Sequence, residues 1–177
     1  VLVVGAGMLG VTAAAWCRAL GARDVIACDR DDDRLAAAID FGVTRTSSPI
    51  GLADVVAEQT GGRGMDVVFE LSGAAEAVEA AVPLLKAGGT LVLVGSVFPT
   101  RPVQIEPERL GRGCLTVRGV HNYAPRHLCK ALEFLARHPE IPFGALVAPW
   151  RPLAELDAII ASGPPPGALR IGIRPDM

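Results

Sequence analysis

The chain has 177 residues, half of them hydrophobic, enough for one well-cored domain with an appendage. A formal net charge of −2 without any run of Lys and Arg argues against nucleic acid or an anionic membrane surface as partner. No apolar run approaches the roughly 18 residues that a spanning helix needs, which argues against a membrane. Cys17, Cys28, Cys114 and Cys129 are far apart, with no C-x-x-C and no histidine at ligand spacing. They read as small buried or surface thiols of a reducing compartment, so a cytoplasmic location is expected. Val1 opens inside a strand pattern with neither Met nor lead-in, and the expectation is a chain lacking an N-terminal part.

Val1-Leu2-Val3-Val4 is a continuous apolar run, the pattern of a strand buried on both faces of a parallel sheet. Gly5-Ala6-Gly7-Met8-Leu9-Gly10 follows as G-x-G-x-x-G. Gly5 allows a tight turn, Gly7 lets backbone approach a pyrophosphate, and Gly10 lets the following helix pack closely on the strand. That helix is expected from about Leu9 to Leu20, closed by Gly21. The free N–H groups of Met8 and Leu9 and a dipole of roughly half a positive charge suit bound phosphates. A second strand, Val25-Ile26-Ala27-Cys28, delivers Asp29 at its tip, nineteen residues after Gly10. A lone glycine motif is weak; strand, glycines, helix, strand and acid in this order are a strong signal for a dinucleotide. Asp29 is suited to accept hydrogen bonds from adenosine ribose hydroxyls, worth about 1.5–3 kcal/mol for a charged acceptor. It also repels a 2′-phosphate, which favours NAD over NADP. Arg30 and Arg34 are placed either to accommodate part of that phosphate or to form a solvated charged face.

Further βα units follow. Asp31 to Phe41 reads as a helix with its three leading aspartates at the positive end, and Gly42 ends it. Val43 to Thr46 is a short third strand, and Leu52 to Gln59 an amphipathic helix closed by Gly61-Gly62. Asp66-Val67-Val68-Phe69-Glu70 is a fourth strand. Ala74 to Lys86 reads as a helix kinked at Pro83 and terminated by Gly88-Gly89. Leu91-Val92-Leu93-Val94 is a fifth strand and Leu115-Thr116-Val117-Arg118 a sixth. This alternation specifies an α/β fold, a Rossmann doubly wound parallel sheet with its ligand at the C-terminal strand ends. The dinucleotide-binding domain is expected to span 1–127. Residues 128–177 carry two amphipathic helices, with Leu128, Leu132 and Leu135 and with Leu153, Leu156, Ile159 and Ile160. They also carry two strands, Ala145-Leu146-Val147 and Leu169-Arg170-Ile171-Gly172-Ile173. Gly163-Pro164-Pro165-Pro166-Gly167 reads as a stiff surface linker.

Four words stand in a diagnostic order and spacing: Val1-Leu2-Val3-Val4-Gly5-Ala6-Gly7, Asp66-Val67-Val68-Phe69-Glu70-Leu71-Ser72-Gly73, Leu84-Leu85-Lys86-Ala87-Gly88-Gly89 and Leu91-Val92-Leu93-Val94-Gly95. With them, the chain resembles the cofactor domain and C-terminal segment of the medium-chain dehydrogenase/reductase family, which contains the zinc alcohol dehydrogenases. Gly95-Ser96-Val97-Phe98-Pro99 and Arg118-Gly119-Val120-His121-Asn122-Tyr123 resemble a subgroup found alongside phosphonate-catabolism genes. The resemblance implies an NAD-dependent oxidoreductase acting on a small alcohol or aldehyde. Gly95, Ser96 and Val97, and then Val120, His121 and Asn122, resemble the segments whose backbone meets the nicotinamide carboxamide. Ser72 and Gly73 resemble the turn on the adenine side. Arg34 takes the position of a basic ribose contact, and Arg170 that of a pyrophosphate contact.

The resemblance also implies that zinc ligands belong to an N-terminal GroES-like catalytic domain upstream of Val1, which residues 128–177 return to complete. This segment alone is then expected to be inactive, with apolar surface uncovered. Pro102-Val103-Gln104-Ile105 resembles the edge segment through which two cofactor sheets join, which implies a homodimer. His121 is read as an outward or ring-stacked side chain rather than a general acid–base, because that position contributes backbone. His127 and His138 read as surface residues, and Tyr123 followed by His127 lacks the Tyr-x-x-x-Lys pattern of short-chain dehydrogenases. Glu70 is read as a brace for the Ser72-Gly73 turn. Two other readings stay open: a zinc-free quinone-reductase-like relative, disfavoured by Asp29, and a non-catalytic NAD- or adenosine-binding Rossmann module or methyltransferase. Methyltransferases carry an acid just before the glycines, where this chain has Val4.

Overall fold

The computed structural model describes residues 1–163 and 169–175 and divides into two compact units, Val1–Tyr123 and Ala124–Met177. In the first, β1 (Leu2–Val4), α1 (Met8–Ala19), β2 (Ile26–Cys28), α2 (Asp32–Ala38), β3 (Arg45–Ser47) and α3 (Leu52–Thr60) come in turn. Then follow β4 (Met65–Glu70), α4 (Ala75–Ala81), β5 (Leu85–Leu93), α5 (Pro107–Arg112) and β6 (Thr116–Gly119). The six strands form one parallel sheet in the order β3-β2-β1-β4-β5-β6. This is the Rossmann arrangement, and the strand order reverses between β1 and β4, where such sheets open a crevice.

The sheet is held by burial on both faces. Leu2 and Val4 join Ile26, Val68 and Leu91 against Leu52 and Val56 of α3 and Val78 and Ala81 of α4. Val3 points the other way, toward α1, whose Val11, Ala14 and Ala15 are buried. Each such side chain contributes about 1.5–3 kcal/mol by leaving water. α1 closes on Gly21, whose backbone sits at φ +92° with its N–H on the Arg18 carbonyl.

Several elements differ from the sequence expectation. α4 stops at Ala81, a 3-10 turn spans Val82–Leu84 around Pro83, and Leu85 already belongs to β5. Gly88-Gly89 therefore ends no helix. It lies within a bulged strand that pairs Met65 with Leu85 and then Val67 with Thr90. The extra residues are accommodated because Gly88 adopts φ +75° and donates its N–H to the Gly113 carbonyl. The helix after β2 also tightens, to a 3-10 turn over Ile39–Phe41. α5 had no apolar periodicity to announce it, since none of its residues is buried; only Pro107 at its first turn marks it.

The second unit contains α6 (Pro125–Arg137), β7 (Val147–Pro152), α7 (Leu156–Ser162) and β8 (Arg170–Arg174), with β7 and β8 paired in parallel. α6 begins at Pro125, with the Ala124 N–H donated to His127 Nδ1 at 3.2 Å, so the units divide upstream of the expected 127/128 boundary. Ala145 and Leu146 lie in a 3-10 turn instead of a strand, because the Ala145 N–H bonds back to the Pro142 carbonyl. Leu128, Leu132 and Leu135 of α6 are all exposed. Arg174 stacks 5.0 Å over the Trp150 ring. Residues 164–167 of the expected linker lie outside the described residues.

Between β5 and α5 the chain is tied to α4. Pro102 has no N–H, and the Gln104 N–H goes to the Glu79 carboxylate at 2.8 Å; among the described residues of this single chain, the expected edge segment Pro102–Ile105 pairs with no strand. Arg101 forks onto the same helix, with Nη2 at 2.9 Å from Glu76 and 2.8 Å from Glu79. The Arg101 guanidinium first and the Gln104 amide second hold the Glu79 carboxyl down at about 2. A lowered folded value means this clasp acts fully above the ordinary value of 4.5 and is lost as pH falls toward 2. Arg101→Met should lower the melting temperature at neutral pH, and its gap from the parent chain should narrow from pH 5 to pH 2. A gap that stays constant over that range counts against the clasp.

Candidate functional site

The C-terminal ends of the parallel strands share one rim. β1 runs into the Gly5–Gly10 loop, β2 into Asp29, β4 into Ser72-Gly73, β5 into Gly95–Val97 and β6 into Val120–Asn122. Five separate stretches of sequence thus meet where the topology opens its crevice. Arg170 belongs to the second unit, at the start of β8, with Nη1 on the Leu169 carbonyl.

The three motif glycines differ in what constrains them. Gly5 sits at φ +101°, and a Cβ there would lie 2.9 Å from the Ser72 nitrogen. A Cβ on Gly10 would lie 1.9 Å from the Gly5 carbonyl oxygen, so α1 starts hard against the turn. A Cβ on Gly7 would meet nothing within 4 Å. Gly7 is the N-cap of α1, offers no side-chain acceptor, and is followed by no acid in the first turn. The first internal bond of the helix is from the Val11 N–H to the Gly7 carbonyl. The amides of Met8, Leu9 and Gly10 therefore keep their donors for an outside anion, reinforced by the helix dipole.

Asp29 lies across this loop. Its Oδ2 accepts the Ala6 N–H at 2.7 Å, and its Oδ1 accepts those of Arg30 at 2.7 Å and Asp31 at 3.1 Å. Three of the carboxylate's roughly four lone-pair positions are taken, which fixes its orientation and leaves capacity for one more donor. Cys28, directly below, is pushed up to about 11 by burial and then by the Asp29 charge, so it stands as a neutral thiol. Asp31 caps α2 by accepting the Arg34 N–H at 3.1 Å, and it draws the Arg34 Nε to 3.4 Å. The Arg34 guanidinium is thus engaged at its own helix start, while Arg30 is exposed.

Glu70 is fully buried and braces two turns. Oε1 accepts from the Ser72 N–H at 2.7 Å, the Ser72 hydroxyl at 2.6 Å and the Gly73 N–H at 2.7 Å; Oε2 accepts from the Ser96 hydroxyl at 3.1 Å. The turns touch backbone to backbone, since a Cβ on Gly95 would lie 2.5 Å from the Gly73 nitrogen. The Val97 N–H returns to the Gly95 carbonyl, and that of Val120 to the Leu93 carbonyl. Asn122 adopts φ +57°, and the His121 side chain is exposed. Sequence reasoning missed the Ala6 amide, the hold of Asp31 on Arg34 and the Ser96 link. Only Asp31 left a signal, an aspartate at a helix start three residues before the arginine.

Two hollows lie away from the rim, one of about 390 Å³ near the entry ends of β5 and β6 and one of about 330 Å³ between α4 and the Gln104–Arg109 stretch, and both touch Glu106 and Arg109. Arg109 is already bonded to the Pro83 and Leu85 carbonyls, so its donors are turned inward. Neither hollow includes a residue of the rim. The rim's free amides, open Gly7 face and locked carboxylate fit a dinucleotide. For zinc, the described residues offer no cluster of three or more His, Cys, Asp or Glu. No helix among them is long and apolar enough to cross a membrane.

The fold and this rim define a nucleotide-binding Rossmann unit. The profile of the zinc-binding dehydrogenases matches residues 9–137, and the chain belongs to that family. Sorbitol dehydrogenase 1 of Saccharomyces cerevisiae is 48% identical over 103 residues, 54% of this chain and 29% of that protein. An L-threonine 3-dehydrogenase of Photorhabdus laumondii is 37% identical over 123 residues, 68% of this chain and 36% of that protein. The chain thus spans about a third of the length of these curated relatives. An alcohol dehydrogenase of Thermotoga maritima superposes with a TM-score of 0.88 at 25% identity, over 97% of this chain and 48% of that one. A Sinorhizobium meliloti structure bound to NADP gives 0.86 at 28% identity, over 98% and 52%.

The glycine geometry separates stability from binding. Gly10→Ala should cost about 1–3 kcal/mol or more through its clash with the Gly5 carbonyl, whereas Gly7→Ala should melt within about 2 °C of the parent chain. Equal melting temperatures for the two variants would contradict the close approach of α1.

Proposed function

We propose that the chain is the NAD-binding portion of a zinc-dependent alcohol dehydrogenase-like oxidoreductase that moves hydride between a small alcohol or aldehyde and the cofactor. The observation that carries this reading is the uncapped start of α1 behind an open Gly7, with Asp29 held across the loop. The amides of Met8, Leu9 and Gly10 take the pyrophosphate, and Gly7 leaves room for it. Asp29 takes a ribose hydroxyl, with Arg34 as the basic contact beside it. Ser72 and Gly73 line the adenine side. Backbone groups of Gly95–Val97 and Val120–Asn122 hold the carboxamide and so present one face of the nicotinamide ring. NAD, when bound, supplies the hydride acceptor; this chain supplies grip and orientation. Zinc belongs to residues of the whole enzyme outside this chain.

Two features support NAD over NADP: the Asp29 carboxylate repels a 2′-phosphate, and Asp31 occupies Arg34. Titration by nucleotide fluorescence should give NADH at least about tenfold tighter than NADPH, with Asp29→Ser closing the gap. Gly7→Ala should weaken NADH by a similar factor without altering the fold. Tighter binding of NADPH overturns the preference, and binding of neither nucleotide overturns the cofactor assignment.

The reading includes a homodimer through the sheet edge. Among the described residues β6 pairs only with β5, and its four residues are exposed. Sedimentation of the chain as a monomer at every concentration tested would remove the dimer. The free thiols at Cys17, Cys28, Cys114 and Cys129 support a reducing location such as the cytoplasm.

A further inference from the structure

We infer that Glu70 is a positioning residue that couples the two halves of the dinucleotide site by sharing one buried carboxylate between the turns after β4 and β5. The inference rests on the dinucleotide reading above.

Asp29 stands beyond β2, on the adenosine side of the crevice, so the other half of a dinucleotide extends across β4 toward β5 and β6. Glu70 stands at the crossing. Its Oε1 is saturated by the β4 turn, with three donors from Ser72 and Gly73. Among the described residues its Oε2 is bonded by the Ser96 hydroxyl of the β5 turn. Its carbonyl oxygen also accepts the Val94 and Gly95 N–H groups, each at 2.9 Å. One residue therefore organises both turns, through its side chain and its backbone.

A buried carboxylate without partners is strongly unfavourable, so these donors are ordered to satisfy it and lose their freedom in doing so. The turns also lack space to slide past each other: a Cβ on Gly73 would lie 2.7 Å from the Gly95 carbonyl oxygen. Ser96 is exposed, yet its hydroxyl points back to Glu70. This leaves the Ser96 backbone in a fixed orientation facing the nicotinamide half. The consequence is that the Ser96 hydroxyl acts on binding through Glu70, and only for ligands that reach the β5 turn.

The test compares NADH, which spans both halves, with ADP-ribose, which lacks the nicotinamide. Ser96→Ala should weaken NADH about tenfold and ADP-ribose less than about twofold, and Ser96→Thr should restore NADH binding. In a Glu70→Gln background, Ser96→Ala should add less than about twofold, because the two positions share one interaction. Should Glu70→Gln fail to fold, the two Ser96 variants still decide the matter. Equal losses for both ligands, no loss for either, or full additivity with Glu70→Gln would overturn the coupling. A parent chain that does not bind NADH takes down the dinucleotide reading and this inference with it; normal parent affinity with flat Ser96 variants sinks the inference alone.

Discussion

The rim depends on how closely α1 begins against the turn that precedes it. Gly10 leaves no room for a Cβ beside the Gly5 carbonyl, and Gly7, the N-cap, has no side chain to close the helix, so the first turn keeps its free amides. Every other feature of the site is arranged around that stub. Gly5 takes a left-handed backbone to bring the chain round, and it does so against the Ser72 nitrogen, so the glycine loop and the β4 turn are shaped by mutual contact. A bulkier residue at either place would move the helix start and, with it, the direction of its field.

Two carboxylates do the remaining work of alignment, and they are solvated differently. Asp29 is partly exposed and trades most of its hydrogen-bonding capacity for a fixed orientation over Ala6. Glu70 is wholly buried and turns all its capacity inward. One carboxylate stays at the surface of the rim; the other is bonded wholly within the scaffold.

The first 29 residues were legible because each element carried its own local signal: an apolar run, spaced glycines, a closing Gly21 and an acid at a strand tip. The alternation of strands and helices then specified the sheet. Legibility failed where local and tertiary preferences diverge. Gly88-Gly89 looks like a helix stop, but Leu85 pairs with Met65 before those glycines, so they make a bulge. α5 has no fully buried residue, with only Leu110 partly packed on the core, and so left no period to read. Pro102–Ile105 has a strand's composition, yet its Gln104 amide is bonded to Glu79 on a helix. The long-range bonds of the site, Ala6 to Asp29 and Ser96 to Glu70, join residues over twenty positions apart in sequence, and no spacing rule announces such pairs.

The pairing of Leu2 with Val68 has a consequence for how the molecule is made. β1 precedes β4 in the chain by three helices and two further strands, so this neighbour is synthesised well after it. Because Gly5 rests on Ser72, the glycine loop lacks one of its walls until that neighbour docks, and closing so long an intervening loop is slow. The glycine loop therefore reaches its final shape only in the completed sheet, after β4 has docked.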